Sequence, residues 1–413
     1  MKTFSKYIIS KLLECRNHTN KNIYNNIISD VTHENSDIIA IGDIHGDIQL
    51  MLDTLTIGGL IQKTKSKNEN SIQINRSVQK YDKNDNPKYY EWIEFYEWIG
   101  GNTIVVQVGD QIDRCRPTNY TFSNCKELKV TYDDEASDIE ILLFFTNLHE
   151  KAFANGGAVY SLLGNHELMN IHNDIRYVSY KNLEQLNIKE DNEKIDDEEI
   201  NEEVQKIITS EDNNIDDYIS RRMNIFRREG ILAKFIACTR YSILIVNGYL
   251  FVHGGVLGSY INQYNFTNIN YFQDLNNKIK NYIIKEQKQN LEKEIKGFIF
   301  RTNSPFYTRK LGNIKIDAKI DDVYCKDVKK IIDHYKLKGI IVGHTPQPKG
   351  INGTCIKEDN NTLFRIDVAS SKAFHLWPDY NLQAQVLKIS KDRTTKVLKF
   401  KNGKNGKIIS ELI

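Results

Sequence analysis

Five apolar segments of the chain each end in a glycine-containing turn that carries acidic, amide or histidine side chains. They are "IIAIGDIHGD" (38–47), "TIVVQVGDQIDR" (103–114), "AVYSLLGNHE" (158–167), "YLFVHGG" (249–255) and "GIIVGHTPQ" (339–347). Such near-continuous apolar runs predict strands buried on both faces. Ligands of open α/β sheets bind at the carboxyl ends of the strands, which is where all five polar turns lie. We therefore expect the turns to meet.

A helical segment alternates with the first of these strands. Residues 137–157, "SDIEILLFFTNLHEKAFANGG", repeat their apolar side chains at spacings of three and four, and Gly156 is a helix stop signal. Alternating strands and helices indicate an α/β fold. The chain has 413 residues, of which 40% are hydrophobic, and is long enough to bury a large core in one large domain or two ordinary ones.

Charge and cysteine content set expectations for partners and location. The net charge is only +2, so no overall field selects a nucleic acid, and we do not favour one as a partner. The six cysteines are scattered without a C-x-x-C pair, which is typical of a reduced intracellular protein; a Cys115–Cys125 disulfide is the less favoured alternative. Because no uncharged apolar run approaches membrane-spanning length and no signal-peptide pattern is present, we predict a soluble cytoplasmic protein without a membrane partner.

Two polar segments interrupt the predicted core. Residues 61–90 are polar and rich in turn formers and predict a surface insertion, which a hairpin would suit. A second insertion, about 182–220, includes an acidic run at 189–217 with thirteen acids and three lysines. Such a run is typical of a solvated or partly disordered segment, and a lid or partner-binding element is the alternative.

The two ends of the chain predict separate elements. The first 36 residues predict a helical extension, and residues 37–390 form the main domain. The segment from Lys388 to Lys407 has eight basic residues and one acid, and alternating runs on either side of "KDRT" predict a hairpin at a sheet edge with exposed lysines. RNA contact is the minority interpretation of these lysines. We assign 391–413 to this basic hairpin or tail.

The side chains in the five turns are of the types that bind divalent metals. They include Asp43, His45, Asp110, Asp113, Asn165, His166, His253 and His344. Hard oxygen donors mixed with imidazoles suit first-row divalent ions, and two ions about 3.5–4 Å apart need one shared oxygen ligand. Adjacent glycines permit the close backbone approach that such a centre requires. We expect Glu167, His172 and His375 to be structural, and Asp367 to lie behind the site.

The ordered set "GDIHGD", "GDQIDR", "GNHE", "HGG" and "GHT" resembles the motifs of the calcineurin-like metallophosphoesterases, in the phosphoprotein phosphatase branch. "WIGGNTIVVQVGDQIDR" (98–114) and "SPFYTRKLG" (304–312) narrow the resemblance to the Shewanella-like phosphatases. The resemblance covers about 37–390, apart from the two insertions. It implies a catalytic β-sandwich flanked by helices, with four layers in the order α/β/β/α, and two divalent ions whose identity (Mn, Fe or Zn) is open.

The resemblance also implies a role for each matching residue. The implied metal ligands are Asp43 and His45 for one ion, Asp110 bridging both, and Asn165, His253 and His344 for the other. Arg114 would bind the substrate phosphate in a bidentate manner, as the planar guanidinium permits, with Asn165 beside it. Arg309 would be the second residue that binds the phosphate, and Arg301 is the alternative for that role. His166 would be the general acid, oriented by Asp113.

The implied function is hydrolysis of phosphate monoesters, foremost on phosphoprotein, by in-line attack of a hydroxide that bridges the two ions. Two alternatives remain open: hydrolysis of a nucleotide anhydride, such as a dinucleoside polyphosphate or an RNA cap, and a protein-binding scaffold without metals. One position departs from the family pattern, because Cys115 stands where relatives usually have glycine. If that position requires a positive φ, Cys115 is strained, Arg114 shifts, and Arg116 adds a positive charge.

Overall fold

The structure is a computed structural model that describes residues 30–31, 35–64, 95–117, 125–186, 214–263, 270–284, 289–377, 383–401 and 407–413. The predicted N-terminal helix falls almost entirely outside these residues. So do most of the insertion at 61–90 and residues 189–213 of the acidic run, and their predictions are not addressed by the structure.

The described residues contain strands and helices in alternation. The strands are β1 (Asp30–Val31), β2 (Ile38–Ile41), β3 (Ile61–Lys63), β4 (Tyr96–Trp98), β5 (Ile104–Gln107), β6 (Ala158–Leu162), β7 (Arg240–Tyr241), β8 (Ile243–Val246), β9 (Tyr249–Val252), β10 (Gly339–Val342), β11 (Asn352–Thr354), β12 (Leu363–Arg365), β13 (Gln385–Ile389), β14 (Thr395–Phe400) and β15 (Ile408–Leu412). The helices are α1 (Ile48–Ile57), α2 (Asp138–Phe153), α3 (Asn165–Ile171), α4 (Tyr180–Glu184), α5 (Ile215–Phe226), α6 (Ile231–Thr239), α7 (Tyr260–Gln263), α8 (Asn270–Ile283), α9 (Gln289–Ile299) and α10 (Lys326–Tyr335).

The strands form two large sheets and one short pair. The seven-stranded sheet has the order β15-β14-β13-β2-β5-β6-β7, and the six-stranded sheet has the order β1-β8-β9-β10-β12-β11. Strands β2, β5 and β6 run parallel to one another, as do β9 and β10 in the other sheet. Their polar turns therefore leave each sheet at the same edge. The short pair β3-β4 lies at the base of the first insertion.

Side chains of each strand alternate between two cores. In β2, Ile38 and Ala40 pack between the sheets with side chains such as Phe251, whereas Ile39 and Ile41 belong to the cluster that includes helix residues. Helices α1 and α2 cover the seven-stranded sheet, and α8 and α10 cover the other. A strand with both faces buried has no polar positions until it ends, which explains the apolar runs. The predicted four-layer α/β/β/α sandwich is confirmed.

Two local predictions are also confirmed. The helix predicted over 137–157 is α2, and the chain turns after it at Gly156, where φ is +79°. The alternating runs near the C-terminus pair as the antiparallel strands β13 and β14, and β15 adds the edge strand of that sheet. Among the described residues, no helix has both the length and the apolar composition that crossing a bilayer requires.

The interpretation of the cysteines as reduced is wrong. Cys115 is bonded to Cys125, and Cys325 to Cys355. The α-carbons of the two pairs lie 5.9 and 5.7 Å apart, and neither separation, ten or thirty residues, is a recognisable motif. Disulfides persist mainly in oxidising compartments. The cysteine content therefore no longer supports a cytoplasmic location.

Candidate active site

The five polar turns converge on the carboxylate of Asp110. Its Oδ2 lies 3.3 Å from Nε2 of His253, 3.8 Å from Nε2 of His45 and 3.8 Å from Nε2 of His166. Ligand-type atoms of Asp110, His253 and His344 also lie within 4.8 Å of one another. Asp110 lies in the turn after β5. Because β5 lies between the parallel strands β2 and β6, the turns after those two strands flank Asp110 on either side.

Several site residues have backbone conformations that are unfavourable for residues other than glycine. The φ angles are +47° at His45, +50° at Asp110, +73° at Asp113 and +64° at His344. Such positions cost roughly 1–3 kcal/mol each and persist only where the surroundings enforce them. Here the turns bond to each other: the His45 N–H donates to the Asp110 carbonyl over 3.0 Å, and the Gly343 N–H donates to the His253 carbonyl over 2.8 Å.

Two motif glycines are required by the closeness of these turns. A Cβ added to Gly164 would lie 2.1 Å from Oδ1 of Asp110, and one added to Gly343 would lie 2.4 Å from Oδ1 of Asp43. Both distances are far below van der Waals contact, so a larger residue would push the carboxylates apart. The glycines of "GNHE" and "GHT" thus allow the turns to approach.

The structure brings the six predicted metal ligands into one buried cluster. In addition to the three contacts of Asp110, the His344 N–H donates to Oδ2 of Asp43 over 3.1 Å. Oδ1 of Asn165 lies 3.1 Å from Nε2 of His253, and Oδ2 of Asp43 lies 3.9 Å from Nε2 of His45. Their role as metal ligands stays a prediction. That prediction requires the six side chains to lie close together, and they do.

The proton positions of the imidazoles fit metal binding. Nδ1 of His253 lies 2.9 Å from the Val108 carbonyl, and Nδ1 of His45 lies 3.4 Å from the Ile112 carbonyl. Because a carbonyl only accepts, Nδ1 of each ring is the donor to it, and Nε2 is the nitrogen that faces Asp110. Metal-binding histidines are commonly oriented in this way.

The electrostatics of the cluster also fit a cation. Burial raises the pKa of Asp43 well above its ordinary value, and the nearby carboxylates of Asp367 and Asp110 add to that rise. Burial would raise the pKa of Asp110 as well, but His253 and the other imidazoles outweigh it and hold that pKa well below the ordinary value. Burial lowers the pKa of His344 and keeps its ring neutral. Burial would lower the pKa of His253 too, but the adjacent Asp110 outweighs burial and raises it. Buried carboxylates and imidazoles together form a suitable donor set for divalent ions.

His166 is held by a chain of buried polar groups. Its Nδ1 lies 2.8 Å from Oδ2 of Asp113. The side-chain amide of Asn170 donates to both Asp113 oxygens over 2.9 and 3.0 Å, and Arg222 donates to Asn170 and to Asp138. The sequence analysis missed Asn170, Arg222 and Asp138. Only Asn170 has a local signal, since it lies four residues after His166 and thus on the same face of α3.

Of four residues near the motifs, Glu167 and His172 lie as expected, whereas His375 and Asp367 reach the cavity rather than lying behind the site. Glu167 accepts the backbone N–H groups of Asp110, Gln111 and Gly164 and so fixes the turns. His172 bonds to the Tyr282 hydroxyl over 2.9 Å, away from the cluster. The remaining two, His375 and Asp367, line the cavity above it. His375 stacks on an aromatic ring, and burial raises the pKa of Asp367 to about 6.

The structure places Arg114 differently from what the resemblance implies. The residue is fully buried; Nη1 donates to the Gly46 carbonyl and to Glu135, both over 2.8 Å, and Nη2 donates to the Asp133 carbonyl over 2.7 Å. These are the contacts of a structural ion pair. The acids at 133–135 lie some twenty residues beyond the motif, so no local pattern revealed that they fold against Arg114.

A cavity of 460 Å³ opens over the cluster. Its lining includes His45, Asp110 and His166 at the base and Arg116 and Arg309 at the sides. Aromatic side chains surround the base, namely Tyr132, Tyr177, Phe374 and Trp377. Arg301, the rival of Arg309, does not line the cavity. Cys115 is not at a positive φ, so the strain that its place in the motif suggested does not arise.

Comparison with known proteins identifies the family. The family model described as calcineurin-like phosphoesterase matches residues 36–348. An uncharacterized protein, R398, of Acanthamoeba polyphaga mimivirus is 32% identical over 62% of this chain and 98% of its own length. Shewanella-like protein phosphatase 2 of Arabidopsis thaliana is 26% identical over 81% of this chain and 71% of its own length.

A second Shewanella-like relative and a solved structure extend the similarity. Shewanella-like protein phosphatase 1 of Plasmodium berghei is 26% identical over 82% of this chain and 68% of its own length. The crystal structure of a cold-active protein-tyrosine phosphatase from a psychrophilic Shewanella species superposes with a TM-score of 0.55. The superposition covers 93% of this chain and 82% of the Shewanella chain. The sequences are 16% identical, so the similarity is evidence of a shared fold.

Proposed function

Because the chain belongs to the calcineurin-like phosphoesterase family and is a metal-dependent phosphatase, we propose that it hydrolyses phosphate monoesters on protein at the cluster around Asp110. The convergence of three imidazole Nε2 atoms within 3.8 Å of one Asp110 oxygen is the observation that carries this proposal. Two relatives that share most of their length with this chain are named Shewanella-like protein phosphatases, which supports a phosphoprotein substrate.

The chain offers ligands for two divalent ions. We propose that Asp43, His45, Asp110, Asn165, His253 and His344 would hold them. Bound ions of this kind make a water molecule nucleophilic near neutral pH and neutralise charge on the phosphate oxygens. Manganese, iron and zinc all suit a mixed carboxylate and imidazole set.

The protein itself supplies the proton for the leaving group. Asp113 accepts the Nδ1 proton of His166 and turns the ring so that Nε2 faces the cluster, 3.8 Å from Asp110. We propose that a proton on Nε2 passes to the oxygen of the departing alcohol or phenol. General acids positioned in this way contribute about 10²–10⁴-fold to rate.

The cavity favours an aromatic substrate. Four aromatic side chains surround its base, and two of them, Tyr132 and Trp377, are 56% and 39% exposed and so remain available for contact. A phenyl ring attached to the phosphate can stack against such walls, with roughly 0.5–1.5 kcal/mol for each aromatic pair. We therefore propose phosphotyrosine rather than phosphoserine or phosphothreonine as the preferred residue.

One panel of substrates tests this function. Metal-stripped protein is supplied with Mn²⁺ and assayed on phosphotyrosine and phosphoserine peptides of one sequence, on a diadenosine polyphosphate and on capped RNA. We expect Mn²⁺-dependent phosphate release, about tenfold faster in kcat/KM from phosphotyrosine than from phosphoserine. Asp110→Asn, which keeps the shape of the side chain but removes its charge, is the control and loses activity together with bound metal.

The other outcomes separate the alternatives. Faster release of nucleotide from the diadenosine compound or from capped RNA would make the protein a nucleotide anhydride hydrolase. Absence of turnover together with absence of bound metal would favour the scaffold hypothesis. Equal rates on both peptides would contradict the aromatic preference but leave the phosphatase function standing.

The location of the protein in the cytoplasm stays a prediction. The disulfides of Cys115 and Cys325 weigh against it, because reducing compartments seldom maintain such bonds. Fractionation of cells that express the full chain, with alkylation of free thiols at lysis, tests it. If the protein is recovered in the cytoplasmic fraction with Cys115 and Cys325 fully oxidised, the predicted location and the disulfides are both correct. If the protein is recovered in a membrane-enclosed fraction, the predicted location is wrong.

A further inference from the structure

We propose that Arg116, two residues beyond the motif arginine, binds the substrate phosphate in this protein, and that Arg114 is structural. The inference rests on the proposed phosphatase function, since it concerns the same cavity. In it, Arg116 and Arg309 are the two guanidinium groups that contact the phosphate.

Arg114 also lines the cavity, and its Nε makes no hydrogen bond among the described residues, but both of its terminal nitrogens already donate hydrogen bonds within the protein. Its charge is balanced by Glu135 at 2.8 Å, with Asp47 at 3.9 Å. Its side chain is 0% exposed. To reach a phosphate, Arg114 would have to leave a buried carboxylate without its partner, which costs several kcal/mol.

Arg116 lies directly over the cluster. Its guanidinium carbon is 4.5 Å from the centre of the Phe374 ring and 5.5 Å from that of Tyr177. Each ring contacts one predicted site imidazole, with centroid distances of 5.3 Å from Phe374 to His45 and 4.9 Å from Tyr177 to His166. The guanidinium is therefore held between two rings that border the cluster, and it lines the cavity.

Arg116 also retains donors for an anion. Its Nη1 donates to the carbonyls of Asp113 and Cys115 over 3.0 and 2.8 Å, which anchors one corner of the guanidinium. Within the described part of the chain, Nε and Nη2 make no hydrogen bond and no carboxylate lies within ion-pair distance. Nε–H and the adjacent Nη2–H form the edge that binds two oxygens of a phosphate. Burial lowers the pKa of Arg116 and the carboxylates of Asp113 and Asp110 oppose that fall, so its charge is stabilised at a distance while Nε and Nη2 stay available to an anion.

The contacts of Cys115, directly after "GDQIDR", explain why Arg116 rather than Arg114 would bind the phosphate. Where relatives usually have glycine, Cys115 is bonded to Cys125, and its N–H donates to the Tyr177 carbonyl over 2.9 Å. These two ties fix the residue immediately before Arg116 against the cavity wall. Arg309, an exposed residue, lines the cavity as well. It is near Asp367, and its charge opposes the rise in the pKa of that carboxyl that burial causes.

Arg116→Met is the decisive variant, because methionine keeps an apolar stem between Phe374 and Tyr177 and removes the charge. In the Mn²⁺-loaded full chain, inhibition by inorganic phosphate and the kinetic constants on the phosphotyrosine peptide are measured. We expect the inhibition constant of phosphate to rise about 10- to 100-fold, as for loss of a charge-assisted pair. kcat/KM falls at least as much, while Mn²⁺ content and thermal midpoint stay unchanged.

Two further variants complete the design. Arg116→Lys restores charge but not the two-oxygen contact, so we expect it to recover only part of the phosphate affinity. Arg176→Ala is the matched control, because Arg176 is an exposed arginine one residue before Tyr177 that pairs with Asp174 and does not line the cavity. Its phosphate inhibition should stay within twofold of the unmodified chain.

The result that overturns the inference is a phosphate inhibition constant for Arg116→Met within twofold of the unmodified chain. The failure of the proposed function is distinguishable from this. If the unmodified protein hydrolyses no phosphate ester, calorimetric titration of the Mn²⁺-loaded chain with inorganic phosphate still compares the variants. Loss of phosphate binding in Arg116→Met would then support the inference without the phosphatase activity.

Discussion

His166 and Asp113 are joined by a short hydrogen bond, with Nδ1 of the imidazole 2.8 Å from Oδ2 of the carboxylate. Asp113 is fully buried and receives two further hydrogen bonds from Asn170. A carboxylate held this firmly has one orientation, and it therefore fixes the ring of His166. The remaining nitrogen, Nε2, faces the cavity.

Substitution of His166 by alanine should lower kcat about 10²–10⁴-fold, because the leaving oxygen loses its proton donor. Mn²⁺ content should be unchanged, since the six predicted ligands remain. Metal analysis and steady-state kinetics on one preparation check both. A kcat equal to that of the unmodified chain would show that the acid is another group. Loss of metal instead would show that His166 is a ligand, an assignment its 3.8 Å distance from Asp110 permits.

Arg114→Met should destabilise the fold by roughly 2–4 kcal/mol, since it leaves the carboxylate of Glu135 without its partner. The loss should be greater at pH 8 than at pH 6. Burial raises the pKa of Glu135 to about 7 even beside Arg114, so at pH 6 the carboxyl binds a proton and needs no counter-charge. Urea unfolding at the two pH values measures this. The double variant Arg114→Met/Glu135→Gln should recover much of the stability; failure to recover would place the loss elsewhere.

Gly164→Ala should abolish metal binding and activity, because the added Cβ would lie 2.1 Å from Oδ1 of Asp110. The control is Gly297→Ala in α9, where an added Cβ meets nothing within 4 Å. There the change should be neutral or stabilise by about 0.5–1 kcal/mol, as alanine favours a helix. Mn²⁺ content and thermal unfolding are compared. Normal metal binding by the Gly164 variant would contradict the close approach of the two turns.

His149 should make the fold sensitive to acid. Burial lowers its pKa from 6.5 to about 4, while the Val159 N–H donates to its Nδ1 over 3.1 Å. The unfolded chain binds a proton at the higher pKa, so the stability from neutral His149 is present above pH 6.5 and is lost as the pH falls towards 4. Between pH 7 and 5 the loss is about 2 kcal/mol.

The variant His149→Gln stays neutral and keeps an acceptor, so its unfolding free energy should fall by about 2 kcal/mol less than that of the unmodified chain over the same interval. Urea titrations at pH 7 and 5 give the difference. Between pH 9 and 7, where neither state protonates His149, the two chains should change alike. Parallel curves down to pH 5 would show that His149 does not carry the effect.

The sequence alone determined the strands, the turns that follow them and the types of side chain in those turns. These features follow from short-range rules: a strand buried on both faces is apolar until it ends, and close-packed turns need glycine. The α/β class, α2 and the structural place of Glu167 could be predicted for that reason, whereas the four-layer arrangement was implied by the resemblance to a known family. The glutamate lies three residues from Gly164, within reach of the same turn.

Only the tertiary structure decided which distant groups pair. Arg114 meets Glu135, Asp113 meets Arg222 through Asn170, and Cys325 meets Cys355. Each of these depends on how a segment between the motifs folds back, and the local pattern of a segment does not specify which distant group it will meet. A charged or thiol side chain has the same local sequence signature whether it binds a ligand or is neutralised inside the protein. Its function is therefore set by the partner that the fold brings to it.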